Sequence, residues 1–339
     1  MEHAVAGAGD RRRPPDRSSA DLTTPDVYLA TAQMRATLRV QQEALHAARE
    51  SLREAGFVEL LPPLIGPVTD PGIRGSKQVD VRYYGHDYRL MTSAILYKQV
   101  ALHAFPKIFL VAPNVRLEPL DTAYTGRHLA EFVQLDVEFA STRYADALTL
   151  LEDLLVDIVE HVKRSCTQEL ADLGRELRVP QRPFAREIHA DVVARLQRIG
   201  RSQEGSAEIR WDEEEALSRE AGEPFFICEY PKGSRGFYDR EDPARPGVLL
   251  DFDLVLPGGH GEVASGGERE YEYARLVTRM RETGEDPAKY GWYLDAARRG
   301  IRASCGFGLG IERLTRYLVG ADAVWKVRAF PKIPGMLLP

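Results

Sequence analysis

The sequence is poor in several things, and each shortage excludes something. Three cysteines stand in 339 residues, Cys166, Cys228 and Cys305, too far apart for metal-ligand spacing or a disulfide framework. A reducing, cytoplasmic setting is therefore expected. No apolar run approaches the roughly 18 residues of a transmembrane helix, so no membrane partner is expected. Positive charge is in deficit, with 45 Lys and Arg against 51 Asp and Glu and a formal charge of −6. That balance lacks the bulk phosphate attraction of a basic nucleic-acid binder. Lysine is scarce even among the bases, eight against 37 arginines, so a lysine in a polar cluster draws notice. Residues 1–24 have almost no large apolar side chains, and a secretory signal needs an apolar centre, so they read as a disordered tail.

What is present is an ordinary globular composition, 44% hydrophobic and 28% charged. At about 150 residues per domain the length allows two domains or one large one. From Pro25 to Ala55 an amphipathic stripe (Val27, Leu29, Met34, Leu38, Leu45, Leu52) predicts a helix stopped by Gly56. Phe57 to Ile65 reads as a short strand, and Pro62 and Pro63 place it at an edge or interface, because proline cannot donate to a central ladder.

Two stretches alternate with period two and form a predicted antiparallel hairpin. In Ile108–Glu118 one face carries Phe109, Val111, Pro113 and Val115, and the other Leu110, Ala112, Asn114, Arg116 and Glu118. In His128–Phe139 the apolar face has Leu129, Val133, Leu135, Val137 and Phe139; the opposite face has His128, Phe132, Gln134, Asp136 and Glu138. One side is apolar, and the other suits a charged, aromatic ligand. In Val248–Leu256, Asp251 and Asp253 share a strand face, and Glu262 follows beyond a turn with Gly258, Gly259 and Gly261. Hard oxygen ligands on neighbouring elements suit Mg²⁺, although two such carboxylates alone are more often merely solvated. Gly306, Gly308 and Gly310 alternate before a helix with Ile311, Leu314 and Leu318 on one face. The spacing is not that of a dinucleotide fingerprint; it strips one strand face of side chains so that a flat ligand can lie against the backbone.

These segments together resemble the three signature motifs of class II aminoacyl-tRNA synthetase catalytic domains. Phe57–Ile65 with Pro63 is similar to the first, which in that family forms a dimer interface. Val115-Arg116-Leu117-Glu118 through Arg127-His128-Leu129-Ala130-Glu131-Phe132 resembles the second, and Gly308-Leu309-Gly310-Ile311-Glu312-Arg313 the third. Ser93 with Tyr97-Lys98-Gln99, Phe132-Val133-Gln134-Leu135-Asp136 and Ser265-Gly266-Gly267-Glu268-Arg269 are similar to the aspartate/asparagine branch. The resemblance implies an α+β fold: one antiparallel sheet flanked by helices in a single large domain over 25–339. Residues 166–224, which match less clearly, are expected as a helical insertion, and a homodimer is expected.

The branch's tRNA-charging enzymes carry an N-terminal anticodon-binding module, and only the short tail precedes the first catalytic helix here. Asn114-Val115-Arg116-Leu117-Glu118-Pro119, Leu256-Pro257-Gly258-Gly259 and Glu268-Arg269-Glu270-Tyr271-Glu272-Tyr273 look like archaeal-type asparagine synthetase, a stand-alone relative. On both grounds the chain looks closest to that subgroup. The expectation is therefore an AMP-forming ligase that adenylates aspartate with ATP and Mg²⁺ and passes it to ammonia, with no tRNA partner. A tRNA-acylating paralogue and a non-catalytic relative are the alternatives. The resemblance assigns catalytic parts to Arg116, Arg269 and Lys98. ATP would be held by Arg116, Glu118, Arg127, His128, Phe132, Arg313, Gly308 and Gly310, with Phe132 and Arg313 sandwiching adenine. The amino acid would be held by Ser93, Lys98, Gln134, Asp136 and Arg269, and Mg²⁺ by Asp253 and Glu262. One departure stands out: Ile95 occupies a position where the branch usually has glutamine.

Overall fold

The computed structural model describes residues 22, 24–71, 77–141, 143–201 and 208–339. The expected tail, apart from Leu22 and Thr24, lies outside them. The first helical stretch is split. Helix α1 (Pro25–Ala30) ends at Thr31, whose backbone is extended, and α2 (Ala32–Glu54) begins there. The cause is local: the Thr31 hydroxyl donates to the Tyr28 carbonyl and accepts from the Met34 amide at 3.2 Å, capping the second helix. Along α2, Val40, Ala44, Ala47, Ala48 and Leu52 are buried, one stripe at helical spacing.

The predicted strand near Pro63 is two short pieces, β1 (Val58–Glu59) and β2 (Ile65–Gly66), because the prolines interrupt it. Strands β3 (Asp80–Tyr83) and β4 (His86–Leu90) form a small antiparallel sheet with β2. Helix α3 (Ile95–Ala101) leads into β5 (Lys107–Val115) and β6 (Glu131–Phe139), the expected hairpin, with Asn114 opposite Phe132 and Leu110 opposite Asp136. Helices α4 (Tyr144–Ser165) and α5 (Thr167–Asp172) follow, then β7 (Ala185–Ile188), α6 (His189–Arg198), α7 (Trp211–Glu220) and β8 (Phe225–Cys228). The chain closes with β9 (Asp251–Leu256), β10 (Gly261–Glu268), α8 (Tyr273–Glu282), α9 (Gly291–Arg299), β11 (Cys305–Gly310) and α10 (Ile311–Val319).

Eight strands make the main sheet in the order β1-β5-β6-β11-β10-β9-β8-β7. Its centre is antiparallel as expected, but both ends are parallel, so the sheet is mixed. Parallel neighbours need a crossover connection. Here α3 lies between β1 and β5, and α6 and α7 lie between β7 and β8. The apolar sheet face (Phe109, Leu135, Val137, Phe252, Leu254, Phe307, Leu309) packs on α2, α4 and α10. Fully buried Leu52 belongs to this core, where truncation to alanine costs about 2–5 kcal/mol.

The opposite face carries the site. Registration places Gly310 beside Gln134, Gly308 beside Asp136 and Gly306 beside Glu138. One strand further on, Ser265 pairs with Gly308 and with Asp253, and Gly267 with Gly306 and with Asp251. Functional side chains of β6 and β9 therefore flank a strip of backbone. A Cβ on Gly308 would stand 2.9 Å from Gln134 Nε2 and 3.1 Å from Asp136 Oδ1, so a side chain there would press on both groups. Residues 166–224 contribute the edge strand β7 as well as helices, and α7 packs against β9 and β10.

Candidate active site

One cavity on this face is lined by Ser93, Lys98, Arg116, Glu118, Arg127, His128, Phe132, Gln134, Asp136, Glu262, Arg269, Gly308, Gly310 and Arg313. Fourteen side chains or backbone positions singled out in the sequence thus share one space. Asp253 is the exception: it is buried on β9 and does not line the cavity, whereas Asp251 does.

At the outer end, the Arg116 guanidinium lies over the Phe132 ring, 5.0 Å from its centroid, and its Nε donates to the Thr92 carbonyl at 3.1 Å. Such a cation–π contact is worth about 0.5–2 kcal/mol. Arg313, at the start of α10, donates to the Glu262 carbonyl and pairs with its carboxylate, both at 3.2 Å. His128 Nδ1 is 2.7 Å from the Thr125 hydroxyl. Arg127 is engaged elsewhere: it donates to the buried Glu214 carboxylate at 2.6 Å and to the Trp211 carbonyl at 3.2 Å, both on α7. Its charge is therefore already balanced.

The inner end is closed and dense in charge. Lys98 Nζ, 2% exposed, donates to Asp136 Oδ1 at 3.0 Å and to the Phe307 carbonyl at 3.3 Å, and stands 3.5 Å from Glu138 Oε2. Arg269 donates through Nε to Glu138 at 3.3 Å, and to Asp239 at 3.0 Å and the Gly306 carbonyl at 2.9 Å. Burial works against the Arg269 charge, yet Glu138 and Asp239 outweigh it and push its pKa up. Burial raises the Asp239 carboxyl above the ordinary range even against the pull of Arg269. Gln134 accepts from Asn114 at 2.9 Å, and the Ser93 hydroxyl accepts from the Ile95 amide at 3.3 Å. Ile95 puts an apolar group into the same wall.

Sequence reasoning missed Asp70, Arg235, Tyr238 and Asp239, all of which line the cavity. Tyr238 donates to Asp70 at 2.9 Å, and Arg235 bonds Asp251 at 3.2 Å and Asp253 at 2.6 Å. Residues 229–250 hold no regular strand or α-helix, so no period marks them.

For a divalent cation, Asp253 Oδ1 is a buried acceptor without a hydrogen-bond partner, and Glu262 lies on the adjoining strand. Val255, two residues along from Asp253, is registered with Glu262, so the two carboxylates are diagonal neighbours. Among the described residues no cluster of three His, Cys, Asp or Glu side chains is assembled. Mg²⁺ takes one or two carboxylates and draws its other ligands from phosphate and water. Glu262, on the cavity wall, fits that need and would hold the ion, which supplies charge neutralisation for a triphosphate. Asp253 lies behind the wall on Arg235 and would join it only by turning its Oδ1 to the cavity.

The chain matches the family of class II tRNA synthetases (D, K and N) over residues 19–334. It is 32% identical over 331 residues to the asparagine–tRNA ligase of Pyrococcus abyssi, covering 96% of this chain and 75% of that protein. The crystal structure of Pyrococcus horikoshii asparaginyl-tRNA synthetase complexed with asparaginyl-adenylate superimposes with a TM-score of 0.87 at 31% identity, over 94% of this chain and 73% of that one. Asparaginyl-tRNA synthetase of Entamoeba histolytica in complex with asparaginyl-adenylate gives 0.84 at 26% identity, over 94% and 72%.

These relatives overturn two expectations. The ammonia-dependent amidation of aspartate is corrected, because the similar proteins are asparagine–tRNA ligases. The expected absence of a tRNA partner falls with it. Both had rested on length, net charge and short motifs similar to the asparagine synthetase subgroup. Adenylation looks the same whichever nucleophile follows, and a −6 total does not report local potential. The use of ATP and Mg²⁺ stands, and among the described residues no helix is long and apolar enough to cross a membrane. The chain belongs to the class II aminoacyl-tRNA synthetases, in the aspartate/asparagine branch.

Proposed function

We propose that this chain is an ATP-dependent aminoacyl-tRNA ligase. An amino-acid carboxylate attacks the α-phosphorus of ATP, forming an aminoacyl adenylate and releasing pyrophosphate. A ribose hydroxyl at the 3′ end of tRNA then takes the acyl group, and AMP leaves. The observation that carries this reading is the single cavity in which Arg116, Phe132 and Arg313 meet the buried Lys98–Arg269 cluster across the glycines of β11.

Arg116 suits the reaction centre, since a guanidinium fork can contact the attacking carboxylate and the α-phosphate together. Adenine would lie on Phe132 with Arg313 on its other face, after Arg116 turns from the ring to the phosphate and Arg313 leaves Glu262. Glu118 would accept from the adenine amino group, and His128 would face the outer phosphates. Both reactants are anionic, so holding them in line in a charge-neutralised pocket supplies most of what the step needs. The same reading sets a second copy against the Pro63 stretch, where Leu61 and Leu64 are exposed.

Two assays test it. Purified protein should exchange labelled pyrophosphate into ATP only when its amino acid is added, and should leave labelled amino acid on precipitated tRNA. Exchange without any label on tRNA would remove the ligase reading and leave adenylation alone.

A further inference from the structure

The inner end of the cavity holds more anions than cations. Lys98 and Arg269 face Asp136, Glu138 and Asp239, and all five are buried. Asp70 adds a further buried carboxylate on the cavity wall. The next cation outward, Arg235, brings no spare charge, because Asp251 and Asp253 both hold it. Arg279 is held by Glu282 and by the carbonyls of Lys232 and Gly236.

Donor capacity agrees with charge. An ammonium has three N–H groups, and three acceptors stand within 3.5 Å of Lys98 Nζ. Arg269 has five N–H groups, three of them directed at Glu138, Asp239 and Gly306. What remains is two Arg269 N–H groups and an acceptor on Asp136. Asp136 is 2% exposed and lines the cavity, and its Oδ2 is buried without a hydrogen-bond partner. A ligand that fills this space must bring a donor to Asp136 and must not bring a further negative charge to Arg269.

Asp239 decides the balance. Without it two cations would meet two carboxylates, and one terminal nitrogen of Arg269 would be open to a ligand anion. Its position is fixed by backbone as well as side chain: Asp239 and Arg269 form an isolated β-bridge, and the flanking residues bond to the end of β10, Arg240 N to Glu268 O and Glu270 N to Tyr238 O.

We propose that Asp239 is a specificity-determining residue that closes the side-chain subsite to a carboxylate and opens it to an uncharged or cationic group bearing N–H donors. This rests on the aminoacyl-adenylate reading above. A carboxamide fits both requirements: its NH₂ donates to Asp136 Oδ2, and its oxygen accepts one of the remaining N–H groups of Arg269. An amine meets the first requirement and adds a positive charge to an anionic surplus. The carboxylate side chain of aspartate meets neither.

The test is ATP–pyrophosphate exchange by the full chain with asparagine, 2,4-diaminobutyrate and aspartate, measured as kcat/KM. The wild type should prefer an N–H-bearing side chain over aspartate by at least about tenfold, and the better of the other two names the amide or amine source. Asp239→Asn should raise the aspartate/asparagine ratio by about tenfold or more, while Asp239→Glu, which keeps the charge, should stay near the wild-type ratio. If the asparagine variant does not fold, inhibition of the wild type by asparaginyl and aspartyl sulfamoyl-adenosines reads the same preference, and tighter aspartyl binding would overturn it. Aspartate as the better wild-type substrate, or a ratio unmoved in a folded Asp239→Asn protein, sinks the assignment while adenylation stands. Exchange with none of the amino acids sinks the adenylation reading, and this proposal with it.

Discussion

The two ends of the cavity use arginine in opposite ways. At the outer end, Arg313 is a quarter exposed and paired with Glu262, and Arg116 holds a carbonyl and a ring face. These contacts can be exchanged for a ligand's phosphates at little cost, since part-exposed ion pairs contribute roughly 0–1 kcal/mol. At the inner end, Lys98 and Arg269 are almost fully buried and tied to three carboxylates. Removing one member of such a cluster strands the others, at about 3–5 kcal/mol. The outer end is built to rearrange around a substrate, and the inner end to stay put and select.

The contrast can be broken experimentally. Arg116→Ala should lower pyrophosphate exchange by about a thousandfold or more with little change in melting temperature, since its loss is felt at the developing charge; an unchanged exchange rate would refute its place at the reaction centre. Lys98→Met should cost about 3–5 kcal/mol in denaturant titration, against under about 1 kcal/mol for Arg313→Ala, which should instead raise the KM for ATP. Equal stability losses would erase the distinction between the ends. Gly308→Ala should raise the KM for the amino acid by about tenfold, because the new methyl crowds Gln134 and Asp136. The smallest effect is expected from Glu214→Gln, which frees the Arg127 charge towards the cavity and should tighten ATP binding by about two- to fivefold in calorimetry.

The β6 wall of both ends was legible because regular strands sort residues by chemistry. Phe132, Gln134, Asp136 and Glu138 alternate with core residues on β6, and that alone put them on one face. The glycines of β11 were legible for the same reason. Asp239 was not, since it sits in an irregular segment where spacing carries no direction, and its meaning depends on Arg269, 30 residues away. Arg127 was assigned a phosphate that its contact with Glu214, 87 residues distant, makes it compete for. Periodicity predicted one helix where a threonine hydroxyl makes two. Asp251 and Asp253 were visible as a pair, but not the Arg235 that binds both. Length and net charge misled about the nucleophile because neither is a property of the site. The short motifs misled because Arg116, Glu118 and Arg269 within them line the adenylation pocket that both reactions share.

The bare face of β11 also limits how this site can change. Its three glycines offer a ligand only peptide groups, which look alike to every substrate, and a Cβ on Gly306 would collide with the Val137 carbonyl oxygen. Discrimination therefore has to be written by the neighbours: the side chains of β6, and the segment outside the regular strands that carries Asp239. A lineage seeking a new substrate could redraft that segment, Asp239 included, and leave the strand beneath it untouched.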